Sequence, residues 1–196
     1  MRLRINTTTT PTNMNTERIE AICKLPRMYY LPAEQYNNNC YGLADMMREI
    51  SRPDWAMVEI GSFAGVSSML FAEFCERVTC VDPYEAYSEL DAEKIARAEI
   101  MFKKNTYNYS AITLRKATSI QALKYIGNNS LDMVYIDGAH DVNSVEADLR
   151  AWIPKIKKGG WLCGHDINID VRLAVEKVIG KDYKTYKDTS WAHQII

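Results

Sequence analysis

Three stretches of this 196-residue chain combine residue types and spacings that could do chemistry. In the first, Gly61-Ser62-Phe63-Ala64-Gly65 follows a short apolar run and opens a helical pattern. Glycines at such a turn let the backbone pass close to a ligand at a helix N-terminus. In the second, Asp82 closes another apolar run just before Pro83, about 20 residues beyond the glycines, where a carboxylate can accept both hydroxyls of a ribose. Hydrogen bonds to a charged acceptor contribute roughly 1.5–3 kcal/mol each, enough to select a nucleoside over other ligands. A dinucleotide turn needs G-x-G-x-x-G, and Phe63 stands where its second glycine would be. No Gly-Lys-Ser/Thr follows, so a P-loop is excluded too. Turn and carboxylate together point to an adenosine-containing ligand that lacks a pyrophosphate. The third stretch is split between Asp137-Gly138-Ala139-His140 and His165-Asp166. Two carboxylates and two imidazoles at one cleft edge are costly unless they bind something or titrate usefully.

The surrounding pattern says what must position these groups. Leu43, Met46, Met47 and Ile50 mark one helical face that Pro53 stops, and Ala56–Ile60 reads as a buried strand. A helix carrying Val66, Met69, Leu70 and Phe74 follows. Then come a strand from Arg77 to Val81, a helix with Ile95, Ala98 and Phe102, and a strand from Ala111 to Leu114. Ser119 is placed to cap a short helix bearing Ile120 and Leu123. Leu131–Ile136 is the fourth strand, and Val142, Val145, Leu149, Trp152, Ile153 and Ile156 predict one long helical stripe. Lys158-Gly159-Gly160 reads as a turn into a fifth strand, Trp161–Gly164. A helix with Val171, Ala174, Val175 and Val178 follows, and the chain closes on two strand-like pieces, 183–186 and 191–196. Strands alternating with helices argue for a parallel sheet covered on both faces, with ligands at the carboxyl ends of its strands. Asp137 and His165 then end neighbouring strands.

Ahead of this pattern, residues 1–16 read as a loose leader, and 17–39 as irregular with one short helix. The chain thus divides into an N-terminal arm (1–39) and a main domain (40–196). Tyr29, Tyr30, Tyr36 and Tyr41 either close over the site as a lid or pack the arm on its own core or on a second subunit, which leaves a homodimer open. Tyr84, Glu85 and Tyr87 are expected to edge the ligand pocket.

Composition narrows the partners. Twenty-four Lys and Arg against twenty-five Asp and Glu leave a formal charge of −1, with no bulk attraction for nucleic acid or an anionic membrane. No apolar run approaches the roughly 18 residues of a membrane span. Five cysteines without a Cys-x-x-Cys pair read as reduced, buried thiols, and the expectation is a cytoplasmic protein.

Glu59-Ile60-Gly61-Ser62-Phe63-Ala64-Gly65-Val66-Ser67 resembles the first motif of class I S-adenosylmethionine-dependent methyltransferases. It is most similar to the catechol and caffeoyl-CoA O-methyltransferase type, as is Asp132-Met133-Val134-Tyr135-Ile136-Asp137. Asp137–His140, Lys158-Gly159-Gly160 and His165-Asp166 resemble a related set that includes macrolide sugar O-methyltransferases. The resemblance spans residues 40–196 and implies a Rossmann-like, doubly wound, seven-stranded sheet, mostly parallel with a C-terminal antiparallel hairpin. Position by position, it implies Glu59 near the cofactor's amino group, Gly61, Ser62, Phe63 and Gly65 along its tail, and Ser67 at its carboxylate. Asp82 and Pro83 would hold the ribose, and Thr118 and Ser119 would flank the adenine. Asp137 would be a metal ligand completed by His165 and Asp166, where the resembled families have an acidic or amide pair. Magnesium prefers oxygen, so a ligating His165 favours manganese, iron or zinc; alternatively Asp137 and Asp166 ligate while His165 turns aside. His140 fits a general base, since imidazole titrates near neutral pH. The activity implied is methyl transfer to a hydroxyl of a small molecule, a sugar or a phenol. The alternative is the same fold binding the nucleoside as a non-catalytic partner subunit or a hydroxylase-like enzyme.

Overall fold

The computed structural model describes residues 13–32, 39–86 and 91–196. Helix α1 (Asn13–Cys23) precedes α2 (Tyr41–Ile50), and the alternation then runs β1 (Ala56–Ile60), α3 (Val66–Ala72), β2 (Arg77–Val81), α4 (Ala92–Thr106), β3 (Ile112–Arg115). After α5 (Ser119–Ala122) come β4 (Leu131–Ile136), α6 (Val142–Trp152), β5 (Ile156–Gly164), α7 (Ile169–Ile179), β6 (Lys184–Thr185) and β7 (Trp191–Gln194). The strands form one sheet in the order β3-β2-β1-β4-β5-β7-β6. β1 to β5 pair in parallel, and β7 runs antiparallel to both β5 and β6. This is the Rossmann-like architecture expected. All five residues of β1 are buried, as befits a central strand covered on both faces. One face packs Leu43, Met47, Leu70, Phe71 and Phe102, and the other packs Val134, Leu149, Trp152, Val175 and Trp191. All five cysteines are buried free thiols. No described helix is long and apolar enough to cross a membrane.

Several boundaries differ from the sequence reading. α1 begins inside the stretch read as a loose leader, and it joins the core through Ile19, Ile22 and Cys23. The stripe read as one helix ends at Trp152. Pro154 has no N–H to continue it, Ile153–Lys155 forms a 3₁₀ turn, and Ile156 starts β5. Lys158-Gly159-Gly160 lies within β5 as an irregularity: Leu131 faces Ile156 while Met133 faces Trp161, so the extra residues bulge out of register. Thr118, not Ser119, caps α5; its hydroxyl accepts the Gln121 N–H while the Gln121 side chain accepts its own. Phe74 lies beyond the end of α3, and the closing strands are shorter than read.

What the topology does for the site is align strand ends. Ile60, Ile136 and Gly164 are in register across β1, β4 and β5. The next residues continue the ladder: Gly61 N–H donates to Val81 O (2.8 Å), Asp137 N–H to Ile60 O (2.8 Å) and His165 N–H to Ile136 O (3.1 Å). Gly61, Asp82, Asp137 and His165 therefore emerge from one edge, at the point where the strand order reverses.

Candidate active site

At that edge opens a cavity of about 630 Å³, a size suited to a small-molecule ligand. Gly61, Ser62, Phe63, Gly65, Ser67, Asp82, Pro83, Thr118, Ser119, Asp137, His140, His165 and Asp166 all line it. Gly61 has φ +85°, and a Cβ there would collide with the Asp137 carbonyl, so the β1 and β4 loops touch only because the residue is glycine.

Asp82 organises the first turn. Its Oδ2 accepts the Phe63 N–H (2.9 Å) and its Oδ1 the Tyr84 N–H (2.8 Å). Both of those residues have positive φ, 42° and 50°, a conformation costly for non-glycine residues unless the surroundings fix it. Burial raises the Asp82 pKa, while the N–H groups of Phe63, Tyr84 and Ser62 act in the opposite direction. Three N–H groups facing a carboxylate with about four lone-pair sites leave it some acceptor capacity for a ligand.

Glu59 stands one step behind the cavity lining. It is fully buried and is not among the described residues lining the cavity. Ser67 Oγ donates to its Oε1 (2.5 Å), Ser68 Oγ to its Oε2, and Cys80 Sγ to Oε2 (3.5 Å). Burial pushes its carboxyl up to about 7 against the pull of those hydroxyls. Its part is to hold Ser67, which does line the cavity. Tyr84 is likewise behind the wall, its hydroxyl donating to Phe63 O (2.8 Å), whereas Glu85 lines the cavity. Tyr87 and Tyr36 lie outside the described residues.

The other end of the cavity gathers charge. His140 Nε2 lies 3.2 Å from Asp166 Oδ2 and 3.9 Å from Asp137 Oδ1. His165 Nδ1 lies 3.1 Å from Asp166 Oδ1 and 3.8 Å from Asp137 Oδ1. Burial disfavours ionising Asp166, but the His165 hydrogen bond and the nearby His140 and Arg27 bring its carboxyl down to about 2. Among the described residues, one ligand atom each from Asp137, His140 and Asp166 comes within 4.8 Å of the others. Two carboxylate oxygens and one imidazole nitrogen suit manganese, iron or zinc better than magnesium. His165, which the sequence reading set among the ligands, lies as near to both carboxylates as His140 does.

Arg27 carried no motif and was missed. It comes from the segment after α1, and its Nη2 donates to Asp137 Oδ2 in a half-hidden ion pair. Burial opposes its charge, and Asp137 more than restores it, so its pKa is raised. Its Nη1 is buried and finds no partner among the described residues. Met28, Tyr30 and Leu31 continue this strap along the cavity wall. Tyr29 stacks on Phe63 (ring centroids 5.8 Å apart), with the Arg97 guanidinium 4.9 Å from its own ring centre. Tyr41 instead opens α2 and donates to Glu20 (3.0 Å).

A divalent ion and the Arg27 guanidinium would compete for Asp137. An ion that binds only when the carboxylate is released shows an apparent affinity reduced by the fraction released. Arg27→Met is expected to tighten Mn²⁺ binding about 5- to 150-fold, the usual range of coupling between two ligands. Calorimetry of Mn²⁺ into the two proteins measures this; equal affinities would mean that Arg27 and the ion do not compete.

Comparison with known proteins agrees with the geometry. The chain is 26% identical over 121 residues to the uncharacterized protein y4gI of Sinorhizobium fredii, of whose length it spans only 13%. In fold it is similar to a Corynebacterium glutamicum protein (TM-score 0.60, 16% identity, covering 96% of this chain and 93% of that one). It is also similar to CalS11, a TDP-rhamnose 3'-O-methyltransferase of calicheamicin biosynthesis (TM-score 0.57, 14% identity, 98% and 99%). Residues 58–167, which carry the glycine turn, Asp82, Asp137, His140, His165 and Asp166, match the sequence profile of a methyltransferase domain, and the chain belongs to that S-adenosylmethionine-dependent family.

Proposed function

We propose that this protein transfers the methyl group of S-adenosylmethionine to a hydroxyl of a small molecule, a sugar or a phenol, with His140 as general base. The observation that carries the reading is that the His140–Asp166–Asp137 cluster and the Asp82 carboxylate face one cavity. The cofactor supplies an electrophilic methyl on a sulfonium, which an oxygen nucleophile displaces in line. The residues supply the rest. Asp82 holds the ribose, and Gly61, Gly65 and Ser67 receive the amino-acid tail. Met28, Tyr30, Leu31 and Phe63 give the acceptor end an apolar, aromatic wall that suits a planar or ring-shaped acceptor and excludes water. His140, with Nε2 3.2 Å from Asp166 Oδ2, takes the acceptor's proton, and the nearby Asp166 carboxylate steadies the resulting imidazolium. Asp137 and Asp166 would hold a divalent ion, which would lower the acceptor hydroxyl's pKa as a Lewis acid while His140 acts as the base. CalS11 is described as acting on a sugar hydroxyl, and the reading gives this chain the same class of acceptor.

The test is incubation with methyl-labelled S-adenosylmethionine and a panel of sugar nucleotides and catechols, with Mn²⁺ or with a chelator. A labelled ether whose yield falls on chelation is expected. Tight binding of S-adenosylhomocysteine with no transfer to any hydroxyl would instead make the protein a nucleoside-binding partner.

A further inference from the structure

Asp148 is a buried carboxylate that the mechanism above leaves unused. It sits on α6 among the apolar positions Val145, Leu149 and Trp152, is 9% exposed, and lines the cavity beside the Thr118–Ser119 turn. Its Oδ1 lies 2.5 Å from Ser119 Oγ, and Trp152 Nε1 lies 2.8 Å from the same Oγ. An indole N–H only donates, so the serine oxygen accepts from Trp152 and must direct its own proton to Asp148. The relay fixes Asp148 as an acceptor with defined orientation. Only Oδ1 has a hydrogen-bond partner among the described residues, which leaves Oδ2 as an acceptor on the cavity wall.

The layout of the cavity says what reaches that acceptor. If Asp82 holds the sugar of a nucleoside, the sugar's C5′ side must face the reactive cluster of Asp137, His140 and Asp166. The base attached at C1′ then extends the other way, to the end lined by Thr118, Ser119, Ser144 and Asp148. We propose that Asp148 reads the base, accepting an N–H from the exocyclic amine of adenine at Oδ2. The same carboxylate turns away a 6-oxo base, whose carbonyl oxygen would face it without a proton between them. The serine hydroxyl cannot take over this task, since its proton is already given to Oδ1. A buried acceptor left facing another acceptor discriminates strongly, because neither group recovers the hydration it lost. Asp148 is therefore a specificity-determining residue for the cofactor's base, an inference that rests on the nucleoside reading of the site.

Asp148→Asn tests it, because the amide keeps the shape and an oxygen for Ser119 while placing an N–H donor at the other atom. Calorimetry would measure S-adenosylhomocysteine and S-inosylhomocysteine against wild type and variant. Wild type is expected to favour the adenosyl compound about 10- to 150-fold, the worth of one hydrogen bond to a charged acceptor. The variant is expected to reduce that ratio about tenfold or more, by losing the adenosyl ligand and gaining the inosyl one. A ratio within each protein is insensitive to general loss of stability. An unchanged ratio in a variant that still binds would overturn the role of Asp148 alone. Failure of wild type to bind S-adenosylhomocysteine would overturn the nucleoside reading and this inference with it.

Discussion

Asp82→Asn is expected to weaken S-adenosylhomocysteine binding by between about 10² and 10⁴, read by calorimetry. Two hydrogen bonds from ribose hydroxyls to an ionised acceptor contribute roughly 1.5–3 kcal/mol each, and each 1.4 kcal/mol is tenfold in affinity. The substitution also touches the turn itself. The carboxylate accepts the N–H groups of Phe63 and Tyr84, two residues held at positive φ. An asparagine retains one acceptor oxygen and turns the other into an NH₂ donor that opposes an N–H. One of these two turns therefore loosens along with the ribose contact. Asp82→Ala removes both backbone bonds and is expected to lower thermal stability as well. Comparing the two variants separates ligand recognition from turn maintenance. An asparagine variant of unaltered affinity would remove the ribose from Asp82 and with it the nucleoside orientation of the whole cavity.

The parts of the fold that were legible are those where pattern and packing coincide. Every residue of β1 is buried, and its unbroken apolar character apart from Glu59 shows it. Ile153 and Ile156 misled because burial was read correctly and geometry was not. Both isoleucines lie on the core side, but Pro154 between them breaks the helix that would have carried the stripe on. α1 left a readable trace in Ile19, Ile22 and Cys23, spaced as one helical face, that its polar neighbours obscured. In the site, the motif residues lie at strand ends, where topology alone brings them together. Arg27 reaches Asp137 from 110 positions away in sequence, and nothing in Leu25-Pro26-Arg27 marks it. Asp148 did leave a signal. It is a carboxylate set in the apolar face of α6, and such a group is retained where it is hydrogen-bonded or used. Glu59 shows how a motif residue also builds the wall, since both of its oxygens hold serines of α3.

His140→Ala is expected to lower turnover about 10²- to 10⁴-fold, the usual contribution of a positioned general base, while leaving S-adenosylhomocysteine affinity unchanged. The cluster offers His140 two employments, and the same variant tells them apart. As a base, it takes the acceptor's proton beside Asp166, whose Oδ2 lies 3.2 Å from its Nε2. Removing it then abolishes the acid limb of the pH–rate profile, and added metal ion restores nothing. As a ligand, it contributes Nε2 beside Asp137 and Asp166, and its loss weakens Mn²⁺ binding. Excess Mn²⁺ then recovers activity, and the acid limb stays. An ionised Asp166 serves either employment, steadying an imidazolium or holding the ion, so the metal-rescue and pH readouts decide between them. Turnover retained at the wild-type level would take His140 out of the reaction. The acceptor's proton would then fall to His165, whose Nε2 is buried without a partner among the described residues and which lines the same wall.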